Sequence, residues 1–106
     1  IELLCYPIIA IGGAGFVSAT GNLMPGKVAS LYNLVQEGKW QEAQDLHYAM
    51  ITLNDAIFME INPVPVKAAL GMMGKISPEV RLPLSPLSDS NREKLRKILI
   101  DYKLIE

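Results

Sequence analysis

The sequence predicts a piece of a larger α/β protein, mostly helical with one strand. Three observations carry this expectation. Residues 16–19 form a short apolar run behind a glycine-rich turn, while the residues after them carry helical spacing. A strand's N–H and C=O groups need a partner strand, and a chain with one strand cannot supply it. Hydrophobic residues make up 50% of the 106. With a mean hydropathy of +0.23, that fits apolar faces meant to meet partners outside the chain. The chain opens on Ile1 instead of Met, and further sequence is expected upstream of it.

The elements follow in order. Residues 2–11 read as a buried helix with Pro7 near its first turns, where a missing N–H costs least and a kink is expected. Gly12 and Gly13 end it, and Gly15 lets the strand start near other backbone. The strand is apolar on both faces apart from Ser18, as for a parallel strand covered on each side. Pro25 sits in the first turn of a helix at 24–37, whose stripe is Val28, Leu31, Leu34 and Val35, and Gly38 stops it. Residues 40–60 give the clearest helix, with Ala43, Leu46, Met50, Leu53 and Ile57 as a seam that Trp40 extends. Glu42, Gln44, Asp45 and Asn54 lie off that seam. Asn62 caps a helix at 63–73, with Pro63 and Pro65 in its first turn, Gly71 as a weak point and Gly74 as its end. Residues 75–88, with Pro78, Pro83 and Pro86, form a surface loop. Ser90 and Glu93 have capping-box spacing for a last helix at 90–103, burying Leu95, Ile98, Leu99 and Tyr102.

Composition narrows the function. Ten basic and 11 acidic residues leave a formal net charge of −1, which gives no attraction to nucleic acid or to a membrane surface. The run from Leu3 to Phe16 is too short and interrupted to span a bilayer, and no signal-peptide pattern is present. Cys5 is the single cysteine, so no internal disulfide can form and a reducing cytoplasm is the default. No metal site is expected, because His47 is the single histidine and no carboxylates cluster at ligand spacing. His47 reads as a packed or surface residue. Gly15 to Ser18 lacks the spacing of a nucleophilic serine elbow. The glycines at 12–15 precede the strand, whereas phosphate loops place them after it. Lys67 lies among Val64, Val66, Ala68, Ala69 and Leu70. Desolvation there makes a Schiff-base nucleophile conceivable, and a stem lying along apolar surface is the plainer reading. Met50, Met59, Met72 and Met73 read as core filler. Thr20-Gly21-Asn22 follows the strand's C-terminal end, where parallel α/β folds bind ligands. Binding loop and structural turn both remain open for it.

Those residues also carry a resemblance. The run Gly12-Gly13-Ala14-Gly15-Phe16-Val17-Ser18-Ala19-Thr20-Gly21-Asn22 is followed by Glu37-Gly38 and Glu42-Ala43. Then come Asn62-Pro63-Val64-Pro65-Val66-Lys67 and Arg81-Leu82-Pro83-Leu84-Ser85-Pro86-Leu87. In order and spacing these resemble the dihydrodipicolinate synthase/N-acetylneuraminate lyase family across essentially the whole chain. The resemblance implies the C-terminal segment of a (β/α)8 barrel. Residues 1–38 would be its seventh helix, eighth strand and eighth helix, and residues 39–106 its helical extension. It implies a cytoplasmic, homotetrameric class I aldolase that makes or breaks a C–C bond next to pyruvate held as a Schiff base. Pyruvate and an aldehyde or oxo-acid are the implied substrates, with no cofactor and no metal.

The family's lysine, its proton-shuttling tyrosine and its Thr-Thr carboxylate site would all lie upstream, so no catalytic residue is expected here. Val17 matches a pyruvate-site position that contributes backbone, with Thr20, Gly21 and Asn22 as further binding candidates. Gly21 stands where the family usually has alanine, which would loosen or enlarge the loop. Lys67 matches a lysine of the extension and not the Schiff-base lysine. The missing N-terminal barrel portion is the implied partner. A sugar-acid or a 2,4-dihydroxyhept-2-ene-1,7-dioate-type aldolase is the alternative within the family, and a non-catalytic helical interaction module the alternative outside it.

Overall fold

A computed structural model describes residues 2–106. The chain divides into two compact units, residues 1–54 and 55–106. Among the described residues no helix is long and apolar enough to cross a membrane.

In the first unit a 3₁₀ turn, Glu2–Leu4, leads into α1, Cys5–Ala10, with Pro7 in its first turn as expected. A second 3₁₀ turn, Thr20–Asn22, precedes α2, Pro25–Gln36, and α3, Trp40–Ala56, follows. Cys5 and Ile9 of α1 pack with Leu31 and Val35 of α2 and Ala43 of α3, and Tyr6, Phe16, Tyr32, Leu34 and Leu46 flank them. The three- and four-residue spacing of these side chains is what gives each helix one apolar face. Met50 and Leu53 continue the α3 seam, both buried, whereas Trp40 at its start is 43% exposed. Tyr6 meets Trp40 edge-on, ring centroids 5.9 Å apart, and lies tilted by 31° against His47 at 5.6 Å. His47 is thus a packed residue; burial lowers its pKa, and its Nδ1 has no hydrogen-bond partner among the described residues.

The strand is the main correction. Residues 13–18 carry no regular structure, and no strand occurs among the described residues. The sequence run is strand-like, but a strand exists only through a ladder, and no described segment offers one. Val17, expected to be covered on both sides, is 98% exposed.

In the second unit α4 spans Val64–Met72 and α5 spans Asp89–Asp101. Val64, Pro65, Val66, Ala68 and Ala69 of α4 and Leu95 and Leu99 of α5 are buried. The loop between the helices carries no regular structure beyond turns. Three local expectations change. Helix α3 stops at Ala56, short of residue 60. Pro63, not Asn62, caps α4, and no side chain bonds that cap. Gly71 is a contact, not a weak point: a Cβ there would sit 2.9 Å from the Pro78 ring, so glycine lets the 75–88 loop lie against α4.

The start of α5 also departs from the capping box. Ser88 is the cap residue, and its side chain makes no capping bond to its own helix. Instead Glu60 Oε1 accepts from the Ser88 hydroxyl at 2.6 Å, the Ser88 N–H at 3.2 Å and Asn91 Nδ2 at 2.8 Å. A carboxylate is a stronger acceptor than a hydroxyl and is favoured at a helix N-terminus, so it displaces the local box. Glu93 instead faces Lys97 at 3.8 Å.

The ends of α1, α2, α4 and α5 share one geometry. In α2 the Gly38 N–H meets the Val35 carbonyl at 3.0 Å and the Lys39 N–H meets Leu34 at 2.8 Å, with Gly38 at φ 75°. The same pair closes α1, α4 and α5, and in α5 the left-handed residue is Lys103, φ 56°.

Two outcomes follow for the second unit. Gly71→Ala forces the Pro78 ring away and should cost about 1–3 kcal/mol, read as a lowered urea midpoint with unchanged slope. The Ser88 and Asn91 hydrogen bonds hold the Glu60 carboxyl below its ordinary value of 4.5. Its contribution is therefore full above that value and is lost as pH falls through the lowered one. A Glu60→Gln chain should lose this acid-side slope in a pH series of urea midpoints.

Candidate functional site

The segment after α1 is built from small residues for a steric reason. At Gly13 a Cβ would meet Ile8 Cγ2 at 2.5 Å and the Ile8 carbonyl oxygen at 2.7 Å, so only glycine lets the chain leave α1 this tightly. Phe16 then turns into the apolar cluster, and Val17 points outward, almost fully exposed.

Beyond Val17 the chain closes into a turn. The Gly21 N–H donates to Ser18 Oγ at 2.9 Å, and Asn22 Nδ2 to the Ala19 carbonyl at 3.0 Å. The Thr20 carbonyl accepts from Leu23 and Met24, each at 2.9 Å. Thr20 itself is fully buried, and its hydroxyl donates to Asn54 Oδ1 at 2.7 Å. Asn54, placed off the α3 seam by its sequence position, is 5% exposed. The seam skips it because periodicity counts apolar residues, and an asparagine buried for its hydrogen bond gives no such signal.

A hollow of about 390 Å³ opens beside this turn, lined by Gly15, Phe16, Gly21, Pro25, Val28, Ala29, Tyr32 and Asn33. Its walls are mostly apolar, so it suits packing of another apolar surface better than capture of a charged ligand. A Cβ at Gly21 would lie 3.4 Å from Ser18, an ordinary contact, so the turn has room for the alanine that the resemblance leads one to expect.

The candidates thus separate. Val17, Thr20, Gly21 and Asn22 share one short segment, with Val17 and Asn22 exposed, Gly21 half-buried at the hollow and the Thr20 side chain turned inward. Lys67 lies elsewhere, in the second unit, where its ammonium donates to the Glu79 carbonyl and ties α4 to the loop. No cluster of three or more His, Cys, Asp or Glu that could hold a metal occurs among the described residues.

The profile of the dihydrodipicolinate synthetase family matches residues 2–101, and the chain belongs to that family. It is 45% identical to the 4-hydroxy-tetrahydrodipicolinate synthase of Geotalea daltonii, over 99% of this chain and 38% of that protein. The dihydrodipicolinate synthase structure from Thermotoga maritima matches at a TM-score of 0.96 and 35% identity, over 98% of this chain and 35% of that one. The enzyme from Acinetobacter baumannii, solved in complex with pyruvate, matches at 0.93 and 34%, over 98% of this chain and 36% of that one. The chain therefore spans little more than a third of the relatives it matches.

The buried pair has a measurable energetic role. Thr20→Val and Asn54→Leu each remove one side of this buried hydrogen bond, at about 1–3 kcal/mol. The double variant loses the same hydrogen bond only once and should therefore lose less than the sum of the two. A double-mutant cycle on urea midpoints reads that coupling.

Proposed function

We propose that this chain is the C-terminal part of a pyruvate-dependent class I aldolase or lyase of the dihydrodipicolinate synthase type. The observation that carries the reading is the family match over residues 2–101, together with relatives whose names are those of the synthase. In this reading residues 1–38 complete a (β/α)8 barrel and residues 39–106 form its helical extension. The exposed Val17 and the apolar hollow beside Gly15 and Gly21 support a barrel context, because both are surfaces that neighbouring barrel elements would cover.

Chemistry in such an enzyme needs an amine that attacks the pyruvate carbonyl, a proton shuttle and a carboxylate site. We assign all three to the partner portion upstream, and to this chain the Val17 backbone at the pyruvate end, with Gly21 and Asn22 shaping the loop behind it. Lys67 has its ammonium engaged by the Glu79 carbonyl and no tyrosine beside it in sequence, which argues for a structural lysine. The second substrate is an aldehyde or oxo-acid, and the names of the relatives favour the synthase over a sugar-acid or dihydroxyheptenedioate aldolase. The whole enzyme is read as a cytoplasmic homotetramer that needs neither cofactor nor metal.

The test joins this chain to the part of the Geotalea daltonii synthase that it does not match. The chimera should condense pyruvate with an aldehyde. Borohydride reduction in the presence of pyruvate should then label a lysine of the donor portion, and the chain by itself should stay unlabelled. A reduced pyruvyl adduct on Lys67, found by mass spectrometry, would return that residue to the catalytic list. An inactive but folded chimera would overturn the assignment to a synthase.

A further inference from the structure

We propose that Asn54, acting through Thr20, is a positioning residue for pyruvate, an inference that rests on the functional reading above. Thr20 and Asn54 are the two buried polar side chains of the described residues, and they are bonded to each other across 34 positions of sequence. Two polar groups withdrawn from water gain little over an apolar pair of the same shape. What such a pair does supply is direction, since its hydrogen bond tolerates one arrangement where a methyl contact tolerates many.

The place it fixes is specific. Thr20 is three residues beyond Val17, and its carbonyl receives the N–H groups of Leu23 and Met24, each at 2.9 Å. Ser18 and Gly21 close the same turn from the other side at 2.9 Å. The 18–24 turn is thus tied internally by its own backbone and tied to α3 by the Thr20 hydroxyl. On the other flank, Phe16 is held by the apolar cluster. Val17 lies between these two anchors, exposed and without a buried side chain of its own. Its backbone is therefore located by Phe16 on one side and by Thr20 and Asn54 on the other. Loss of the hydrogen bond frees the second anchor and lets the Val17 peptide drift. Asn54 touches no substrate in this account.

The prediction is a split between kinetic constants in the chimera with the Geotalea daltonii synthase. Misplacing a binding group weakens ground-state and transition-state contacts alike, which raises KM and spares kcat. Thr20→Val should raise the KM for pyruvate about tenfold, the equivalent of about 1.4 kcal/mol of lost binding. The aldehyde KM and kcat should change less than twofold in the same assay. Thr20→Ser, which keeps the hydroxyl, should restore the pyruvate KM. Asn54→Ala supplies a second route should Thr20→Val not fold, because it leaves space for a water to satisfy Thr20 while still releasing the turn. An unchanged pyruvate KM in the folded variants, or a fall in kcat alone, would overturn the inference. An unmodified chimera that folds but does not react would instead overturn the functional reading beneath it.

Discussion

Backbone pairing is the constraint on which the rest depends. Residues 16–19 have the composition of a buried strand, and no ladder forms on them among the described residues. Everything nearby is arranged as though one existed. Gly13 lets the chain turn tightly out of α1, Phe16 drops into the helix cluster, and the apolar wall of α2 faces an open hollow. Val17 is left nearly fully exposed between a glycine-rich approach and a tightly bonded turn. The helices hold the segment in place, and the match over little more than a third of each relative accounts for what it is held for.

Where the sequence could be read, it was because a single physical rule acted locally. The seam Ala43, Met50, Leu53 and Ile57 is visible because helix periodicity is fixed by geometry, and those side chains are buried. Gly38 and Gly74 announce helix ends because the left-handed turn favours glycine, and both sit at positive φ. Lys103 occupies the same position without being glycine, so no composition rule could find it. The strand failed for the opposite reason. Propensity reports what a segment prefers, and a ladder needs two segments.

The misses at the polar positions share one cause. Asn54 bonds a residue 34 positions away, and Glu60 reaches Ser88 across 28. Local spacing sees Asn54 as the outer face of a helix and Ser90 with Glu93 as a box, because it cannot weigh a distant acceptor against a near one. The signal available in advance was weak: an asparagine one position from a core leucine, and an acid in the turn after a helix. The candidate site was legible as a segment, residues 17–22, through position and residue size. Which side chains face in and which face out became clear only once Thr20 had found its partner.

Glu60 has a consequence for the order in which the second unit assembles. A helix capped by its own neighbours can begin to form on local information, within the time of a single turn. Helix α5 takes its N-terminal acceptor from beyond α4 and the whole 75–88 loop. The Ser88 and Asn91 side chains therefore meet Glu60 only once the chain between Glu60 and Ser88 has been brought back on itself, at the entropic cost of closing that loop. The last helix thus cannot gain its full stability alone. It gains the Glu60 contacts together with the closure of the segment that carries α4 and the loop.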